Sequence, residues 1–516
     1  MMLNDCLVSF AAVTCLKLLF IPLYRSTDFE VHRNWMAITH QKPISEWYLE
    51  KTSQWTLDYP PLFAWFEYIL SFAAEFFDPR MLRISNLNYG SLQTVFFMRL
   101  SVIVSDIVYF YGVNRIYNLV KSKKGKTNDP WVSAEVILAM LLLWNPGLLL
   151  VDHIHFQYNG FLSGILFISF ADMYQEKYVR AAFWFSILIN LKHIYLYLAP
   201  AYFLFLLKHY CFKYAGKNAS FGDFSLPNFL KLASVGISTV FLSFGPFIYM
   251  GQLTQVLNRL FPVKRGLTHS YWAPNVWAIY NFIDRMLSYI VSYFKIYDLK
   301  DLRTCATRGL VQECEHTILP SVSTKVTLFM AILSLIPMFI LIVKKPKSFK
   351  VFLDSIVLCS FSSFLFGYHV HEKAILLIIL PLTISAVFHK EEANLYAFLS
   401  VVGNFSLFPL LHQEGETLLK ISLLLLHMVY MLSSLGQLHK LKTSIVSKAE
   451  VIYWCGLVVL QLFYSFGLRV LGLEQKLPFL PLMLISTYCA CGVVYAWIRF
   501  CYLCLKNIST KADKIK

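Results

Sequence analysis

Long apolar runs alternate with short polar segments along all 516 residues of the chain. A membrane-spanning helix needs roughly 20 mostly apolar residues, and runs of about that length recur from one end of the sequence to the other. The pattern predicts an all-α, polytopic membrane protein with about fourteen transmembrane helices. The candidate spans, several of them short, lie near residues 5–24, 93–117, 133–151, 160–176, 179–191, 194–210, 229–248, 324–343, 351–367, 374–389, 394–411, 417–435, 451–471 and 478–501.

Composition agrees with a membrane protein, because 57% of the residues are hydrophobic and 15% are charged. Soluble globular chains carry about 25% charged residues. The formal net charge is +16, but the basic residues are scattered over loops such as 121–126, 344–347 and 439–442. A nucleic-acid-binding protein gathers its basic residues on one soluble face. We therefore expect membrane lipid, and no nucleic acid, as a partner.

The loops between the spans fall into two charge classes, and this predicts the orientation of the chain. Loops rich in Lys and Arg belong in the cytosol by the positive-inside rule, together with both termini. Two loops of the opposite class are long, covering residues 25–92 and 249–323. Loops of that length are usually functional. Cys305 and Cys314 both lie in the second of these loops, where they can form a disulfide. We expect the sequons at Asn218, Asn404 and Asn507 to stay unglycosylated.

The stretch YRSTDFEVHRNW, residues 24–35, follows the first apolar run. Thr27 and Glu30 have the spacing of a capping box, which predicts a helix that begins there with Asp28 in its first turn. A carboxylate in the first turn is favoured by the helix dipole, so Asp28 also has a purely structural interpretation.

Other predicted helix ends on the same membrane face carry ionisable side chains too. Charged groups near lipid are costly and tend to face a bundle interior or a wet cavity. The pattern therefore predicts a polar cavity at the non-cytosolic face, with carboxylates that can act as bases and cations that can hold an anion such as a lipid phosphate. Besides Asp28, the side chains concerned are Asp58, Asp152, His153, His155, Lys192, His193, His369, His371, Glu372 and Lys373.

Five motifs, in order from the first loop to residue 378, resemble a known family: STDFEVHRNW, WTLDYPPLFAWFEY, VDHIHFQYN, RLFPVKRGL and FGYHVHEKAILL. They are similar to the dolichyl-phosphate-glucose-dependent glucosyltransferases of N-glycan precursor assembly. These are multispanning enzymes of the endoplasmic reticulum with the C-type glycosyltransferase fold. Within that family, the segment RGLTHSYWAPNVWAIYN at residues 265–281 resembles the branch that adds the second glucose.

The resemblance implies a reaction and its partners. Glucose would pass from dolichyl phosphate glucose to the terminal glucose of a lipid-linked oligosaccharide, Glc1Man9GlcNAc2 on dolichyl pyrophosphate. The new linkage would be α-1,3, formed with inversion on the lumenal side of the endoplasmic reticulum membrane and without a cofactor. A first-glucose transferase acting on the unglucosylated acceptor and the related lipid-phosphate-mannose enzymes are alternatives. A proton-coupled secondary transporter is the alternative from another class, although such proteins usually show internal repeats, which are absent from this sequence.

Motif by motif, the resemblance also implies roles for single residues. Asp28 matches the family's catalytic base, with Asp58 as the alternative. His371 and the neighbouring Lys373 match the donor-phosphate site. Lys192 and Arg265 are weaker candidates, because both side chains can instead extend to the membrane interface without binding a ligand. No second carboxylate pairs clearly with Asp28 in the manner of a D-x-D site, so no metal site is expected, and Asp58 and Asp152 are the carboxylates that leave this alternative open. The residues expected to shape the cavity or bind substrate are Asp152, His153, His155, Gln157, His369, Glu372 and Trp272.

The resemblance further divides the chain into two membrane modules. Residues 1–250, with the lumenal loop 25–92, form the catalytic module. Residues 251–516, with the lumenal loop 249–323, form the second module and contribute the donor-phosphate motif at residues 369–373.

Overall fold

The computed structural model describes residues 5–123, 133–212, 223–261, 266–269, 272–295 and 316–512. Regular structure in these ranges is helical, and the β-structure described there consists of two isolated bridges, Phe212 with Phe224 and Thr268 with Val370. This confirms the predicted all-α class. Arg265, Cys305 and Cys314, for which the sequence suggested roles, lie outside the described residues.

The chain divides into two compact units, the first comprising residues 1–262 with the short segments 346–349 and 413–420. The remainder forms the second unit, and the predicted module boundary at residue 250 stays a prediction. The α-helices of the first unit are α1 (Asp5–Leu19), α2 (Thr27–Gln41), α3 (Pro61–Phe77), α4 (Leu92–Lys123), α5 (Ala134–Leu143), α6 (Pro146–Leu148), α7 (Asn159–Tyr174), α8 (Tyr178–Leu191), α9 (Ala199–Leu206), α10 (Leu226–Tyr249) and α11 (Leu253–Leu260). Its 3-10 and π-helical turns are Ile44–Glu46, Pro79–Leu82, Leu149–Phe156, His193–Leu198, Leu207–Cys211 and Glu414–Glu416.

The second unit is likewise built from helices. They are α12 (Val276–Tyr293), α13 (Thr324–Ser334), α14 (Ile336–Lys344), α15 (Phe349–Phe366), α16 (Leu376–Phe388), α17 (Lys390–Phe405), α18 (Thr417–Leu438), α19 (Lys448–Leu462), α20 (Leu468–Val470) and α21 (Leu480–Ala512). Its 3-10 and π-helical turns are Glu372–Ile375, Phe408–Leu410 and Phe463–Gly467. Helices α15 and α18 each have one end in a segment assigned to the first unit.

Each of the fourteen predicted runs is helical. Within the described residues, nine helices are long and apolar enough to cross a membrane. The other five runs form helices that are shorter or interrupted, such as α7 with 16 residues and α8 with 14 residues. The chain is therefore a multi-pass membrane protein.

Helix packing in the first unit holds α4 against α7 and α7 against α8. The contact between α4 and α7 is a close approach of two backbones, because a Cβ on Gly112 would lie 2.4 Å from the Gly164 carbonyl oxygen. Small residues allow such approaches between membrane helices. The contact fixes α4 beside the beginning of α7, where several of the predicted site residues lie.

In the second unit, α17 packs against α16 and α21, and α12 also packs against α21. The segment between α15 and α16 is joined to the segment before α12 by backbone contacts. The His369 amide donates to the Leu267 carbonyl at 2.9 Å, and Thr268 forms an isolated parallel bridge with Val370. These contacts position the predicted donor-phosphate motif.

Candidate functional site

Helix α2 begins at Thr27, as the sequence predicts, but its cap is Ser26. The backbone of Ser26 is extended, with φ −78° and ψ 173°, and its hydroxyl accepts from the Asp28 amide at 3.1 Å. The predicted cap was therefore wrong by one residue, and the predicted capping box does not form. Glu30 does not reach back to the cap, because both of its carboxylate oxygens accept from the Arg33 guanidinium at 2.7 Å.

The Asp28 carboxylate lies in the first turn of α2, as expected, and its side chain is 21% exposed. Two groups from the segment after α6 meet its Oδ2 atom. Gln157 Nε2 donates to Oδ2 at 2.6 Å, and His155 Nε2 lies 3.2 Å from the same oxygen. A carboxylate that is partly accessible and held by hydrogen bonds is suited to accept a proton in a fixed position.

Lys192, at the end of α8, lies beside the same group of residues. Its ammonium donates to Gln157 Oε1 at 3.2 Å and to Asn159 Oδ1 at 3.0 Å, and it lies 5.1 Å from the centre of the Tyr59 ring. The structure therefore places Lys192 against the partners of Asp28. Its predicted role in phosphate binding stays a prediction.

Asp152 and His153 precede this group and have different partners. Asp152 accepts from Asn159 Nδ2 at 2.9 Å and from the Gly160 amide at 2.5 Å, so it fixes the beginning of α7. His153 Nε2 lies 2.8 Å from Asp106 Oδ2, which also accepts from Lys17 at 2.6 Å. Lys17, Asp106, Asp152 and His153 are each at least 95% buried, as expected for polar groups that are paired inside a bundle.

The loop before α3 brings Tyr59 to the site. Its hydroxyl donates to Gln157 Oε1 at 3.4 Å. Burial raises the pKa of Tyr59 well above its usual range, and the nearby carboxylates of Asp58 and Asp28 raise it further. The phenol therefore stays a hydrogen-bond donor at neutral pH. Asp58 itself is half-buried in the same loop.

A second cluster lies in the second unit and contains the predicted phosphate motif. The rings of His269 and His371 have centroids 3.8 Å apart, and His269 Nδ1 lies 3.6 Å from Glu372 Oε2. His369 has a positive φ of 53°, and its Nδ1 lies 3.0 Å from the Gly266 carbonyl oxygen. The motif therefore presents several imidazoles and a carboxylate from two chain segments.

Neighbouring groups lower the pKa of the carboxylate in this second cluster. Burial alone would raise the pKa of Glu372, but the neighbouring His269 imidazole and the Lys373 ammonium together bring it below its usual value. Among the described residues, a grouping of metal-ligand type occurs here, since the ligand atoms of His269, His371 and Glu372 all lie within 4.8 Å of one another. Trp272 lines a small cavity next to Glu372.

Sequence reasoning missed four residues of the two clusters: Ser26, Tyr59, Asn159 and His269. All four lie inside segments that were recognised, namely Ser26 in STDFEVHRNW, Tyr59 in LDYPP, Asn159 in HFQYN and His269 in RGLTHSYW, so their neighbourhood was the available signal. Ser26 is connected to the first cluster by its backbone conformation, and His269 is connected to the second cluster by a contact distant in sequence. No periodic pattern reports either of those.

Comparison with known proteins gives a consistent result. The model of the ALG6, ALG8 glycosyltransferase family matches residues 13–500. The dolichyl pyrophosphate Glc1Man9GlcNAc2 alpha-1,3-glucosyltransferase of Mus musculus is 48% identical over 491 residues, which is 94% of this chain and 93% of the relative. The protein of the same name from Arabidopsis thaliana is 41% identical over 503 residues, 95% of this chain and 96% of the relative. The chain belongs to the ALG6, ALG8 glycosyltransferase family.

Proposed function

We propose that the protein transfers glucose from dolichyl phosphate glucose to the terminal glucose of Glc1Man9GlcNAc2 on dolichyl pyrophosphate, forming an α-1,3 linkage. The observation that carries this proposal is the near-full-length similarity to relatives whose names give the acceptor and the α-1,3-glucosyl transfer, such as the mouse protein that matches 94% of the chain. The choice of donor rests on the motifs of the first loop and of residues 369–373. The reaction takes place at the endoplasmic reticulum membrane, with the site on the lumenal side and both termini in the cytosol.

The chemistry is a single displacement at the anomeric carbon of the donor glucose. The Asp28 carboxylate takes the proton from O3 of the acceptor's terminal glucose while that oxygen forms the new bond to the anomeric carbon. The bond from this carbon to the phosphate oxygen breaks on the opposite face, and dolichyl phosphate leaves. General-base catalysis of this kind contributes about 10²–10⁴-fold to the rate. The contacts of Gln157 and His155 with Oδ2 support this role, because they fix the carboxylate in one position.

The departing phosphate is bound by His371 and Lys373, an imidazole and an ammonium that can both donate to a phosphate oxygen. His269 supports this site because its ring contacts His371 and its Nδ1 lies close to Glu372. The displacement needs no metal in this scheme, because the Lys373 ammonium and the His371 imidazole bind the phosphate. A chelator should therefore leave turnover unchanged, even though the His269, His371 and Glu372 grouping is of a type that can bind a cation.

The test uses the full-length protein in lipid nanodiscs, with synthetic dolichyl phosphate glucose and acceptors that carry zero, one or two terminal glucoses. Turnover is expected with the monoglucosylated acceptor, and the product should contain one further α-1,3-linked glucose. Use of the unglucosylated acceptor in its place would identify a first-glucose transferase and reject the proposal.

The base is tested with two matched variants, Asp28→Asn and Asp58→Asn. Asp28→Asn should lower kcat by about 10²-fold or more while donor binding stays near normal. Asp58→Asn removes a carboxylate from the neighbouring loop and should retain most of the turnover. The reverse result would transfer the role of base to Asp58.

A further inference from the structure

Arg99, in α4, joins two chain segments that meet at the Asp28 carboxylate. The residue is 2% exposed. Nη1 donates to the His153 carbonyl at 2.8 Å. Nη2 donates to the carbonyls of Ile154 and Tyr24, at 2.8 Å and 2.6 Å respectively. One planar side chain therefore holds three backbone carbonyls from two segments.

Both segments lead to the Asp28 carboxylate. The first leads into α2, which contains Asp28, and the second leads to Gln157, which contacts it. Tyr24 precedes the cap of α2 by two residues. The other two carbonyls belong to the π-helical turn Leu149–Phe156, which leads directly into Gln157. The last carbonyls of a helix have no partner within the helix, and the rigid fork of a guanidinium can satisfy several of them at once. Arg99 thus fixes the start of α2 relative to the segment that carries His155 and Gln157.

The turn that Arg99 holds is strained where it meets the site. Phe156 has a φ of 92°, although it is not glycine and is fully buried. It lies between His155 and Gln157, the two residues whose side chains meet Asp28 Oδ2. Backbone strain of this kind persists only where the surroundings impose it, and it is concentrated at functional sites.

Two further contacts fix the strained turn. The Arg99 guanidinium lies 6.0 Å from the centre of the Phe156 ring. The Ser26 hydroxyl, which caps α2, also donates to the His155 carbonyl. The carbonyls of His153, Ile154 and His155 are therefore all tied either to Arg99 or to the cap of the Asp28 helix.

We propose that Arg99 is a positioning residue for catalysis: by joining the start of α2 to the strained turn before Gln157, it holds His155 and Gln157 in contact with the Asp28 carboxylate. This inference rests on the proposed role of Asp28 as the base. Arg99 touches neither substrate in this scheme and acts only through the geometry of these three side chains.

The test is Arg99→Lys in the full-length protein in nanodiscs. Lysine keeps the positive charge, but its single ammonium cannot reproduce the planar fork across three carbonyls. We expect kcat to fall by about 10- to 100-fold, because small displacements of reacting groups have effects of that size. The donor KM should change less than about twofold. The acidic limb of the pH profile should move to higher pH, because a carboxylate that receives fewer hydrogen bonds holds its proton more tightly.

Arg115→Lys is the matched control, since Arg115 lies on the same helix and donates to the Ile168 carbonyl and to Asp172. It should retain the kcat and the pH profile of the unmodified protein. If Arg99→Lys loses thermal stability but keeps both kcat per folded molecule and the position of the acidic limb, Arg99 is merely structural and the proposal is overturned.

A second pair of variants keeps the proposal testable if Arg99→Lys does not fold. Ser26→Ala removes one tie between the cap of α2 and the His155 carbonyl, and Ser447→Ala removes a helix cap of the second unit. Only Ser26→Ala should lower kcat, by about tenfold, and move the acidic limb to higher pH. Equal behaviour of the two variants would overturn the proposal. Turnover that persists in Asp28→Asn would instead reject the proposed base itself, a result separate from either Arg99 outcome.

Discussion

Replacing Lys192 with methionine separates two roles for this side chain, support of Gln157 and binding of the donor phosphate. The Lys192 ammonium donates to Gln157 Oε1 at 3.2 Å and to Asn159 Oδ1 at 3.0 Å. Methionine has a similar length but neither charge nor donors. Hydrogen bonds from a charged group contribute about 1.5–3 kcal/mol each when buried, and Lys192 is only half-buried, so we expect the lower end of that range.

The expected effect is on kcat. In Lys192→Met the hydrogen bond from the ammonium to Gln157 Oε1 is lost. The side-chain amide of Gln157 can then rotate more easily and turn its oxygen towards the Asp28 carboxylate. Gln157 Nε2 donates to that carboxylate at 2.6 Å, so its loss weakens the positioning of the base. A cost of about 1.5 kcal/mol in the transition state, the lower end of that range, corresponds to a fall in kcat of roughly tenfold. The donor KM should stay within about twofold of its normal value.

The assay measures kcat and KM for dolichyl phosphate glucose in nanodiscs at a saturating concentration of the monoglucosylated acceptor. Lys42→Met is a matched control, because Lys42 pairs with Glu46 at 2.9 Å on the surface of the same unit and should leave both parameters unchanged. A donor KM raised about tenfold in Lys192→Met, with normal kcat, would refute the reasoning. Lys192 would then be a phosphate ligand.

Three further outcomes can be measured with single variants. Phe156→Gly should be more stable to thermal unfolding than Phe156→Ala, by about 1 kcal/mol, because glycine adopts a φ of 92° without penalty; equal stabilities would argue against strain. Burial raises the pKa of Asp78, but hydrogen bonds from Ser91 and Arg80 outweigh it and hold the pKa well below its usual range. Asp78→Asn should therefore cost about 1 kcal/mol at pH 7, and its difference from the unmodified protein should shrink below about pH 4; a pH-independent difference would contradict this. His371→Ala should raise the donor KM by about tenfold, and an unchanged KM would remove this residue from the phosphate site.

The helices were predictable because the membrane leaves the backbone few alternatives. Each apolar run must satisfy its own amide and carbonyl groups where water is absent, and a helix does so within the segment. The lengths were less predictable. Residues 194–210 were expected as one span, but the structure resolves them into the 3-10 turn His193–Leu198, the α-helix Ala199–Leu206 and the π-turn Leu207–Cys211. Such changes of helix type depend on packing against neighbouring helices.

The position of Asp28 in the first turn of α2 was also predictable, because capping residues and the helix dipole act locally. The identity of the cap was not. Thr27 and Glu30 had the required spacing, yet Arg33 binds Glu30 and the extended backbone selects Ser26. A local pattern is overruled when a buried charge, here Arg33 with no exposed surface, requires the same carboxylate.

The segment DHIHFQ shows why a motif can be recognised without revealing its geometry. Its first five residues belong to a π-helical turn that ends at Phe156, and the amide of Gln157, the C-cap of that turn, reaches back five residues to the Asp152 carbonyl at 3.4 Å. A π-turn places successive side chains at other angles than an α-helix does, so His153 contacts Asp106 while His155 approaches Asp28. An ordinary α-helical turn would rotate the residues after it by a large part of a turn and carry Gln157 away from the carboxylate. The wide turn therefore brings Gln157 to Asp28, and its carbonyls are bound by Arg99 of α4 and by Ser26, the cap of α2, one in a separate helix and one in a separate motif.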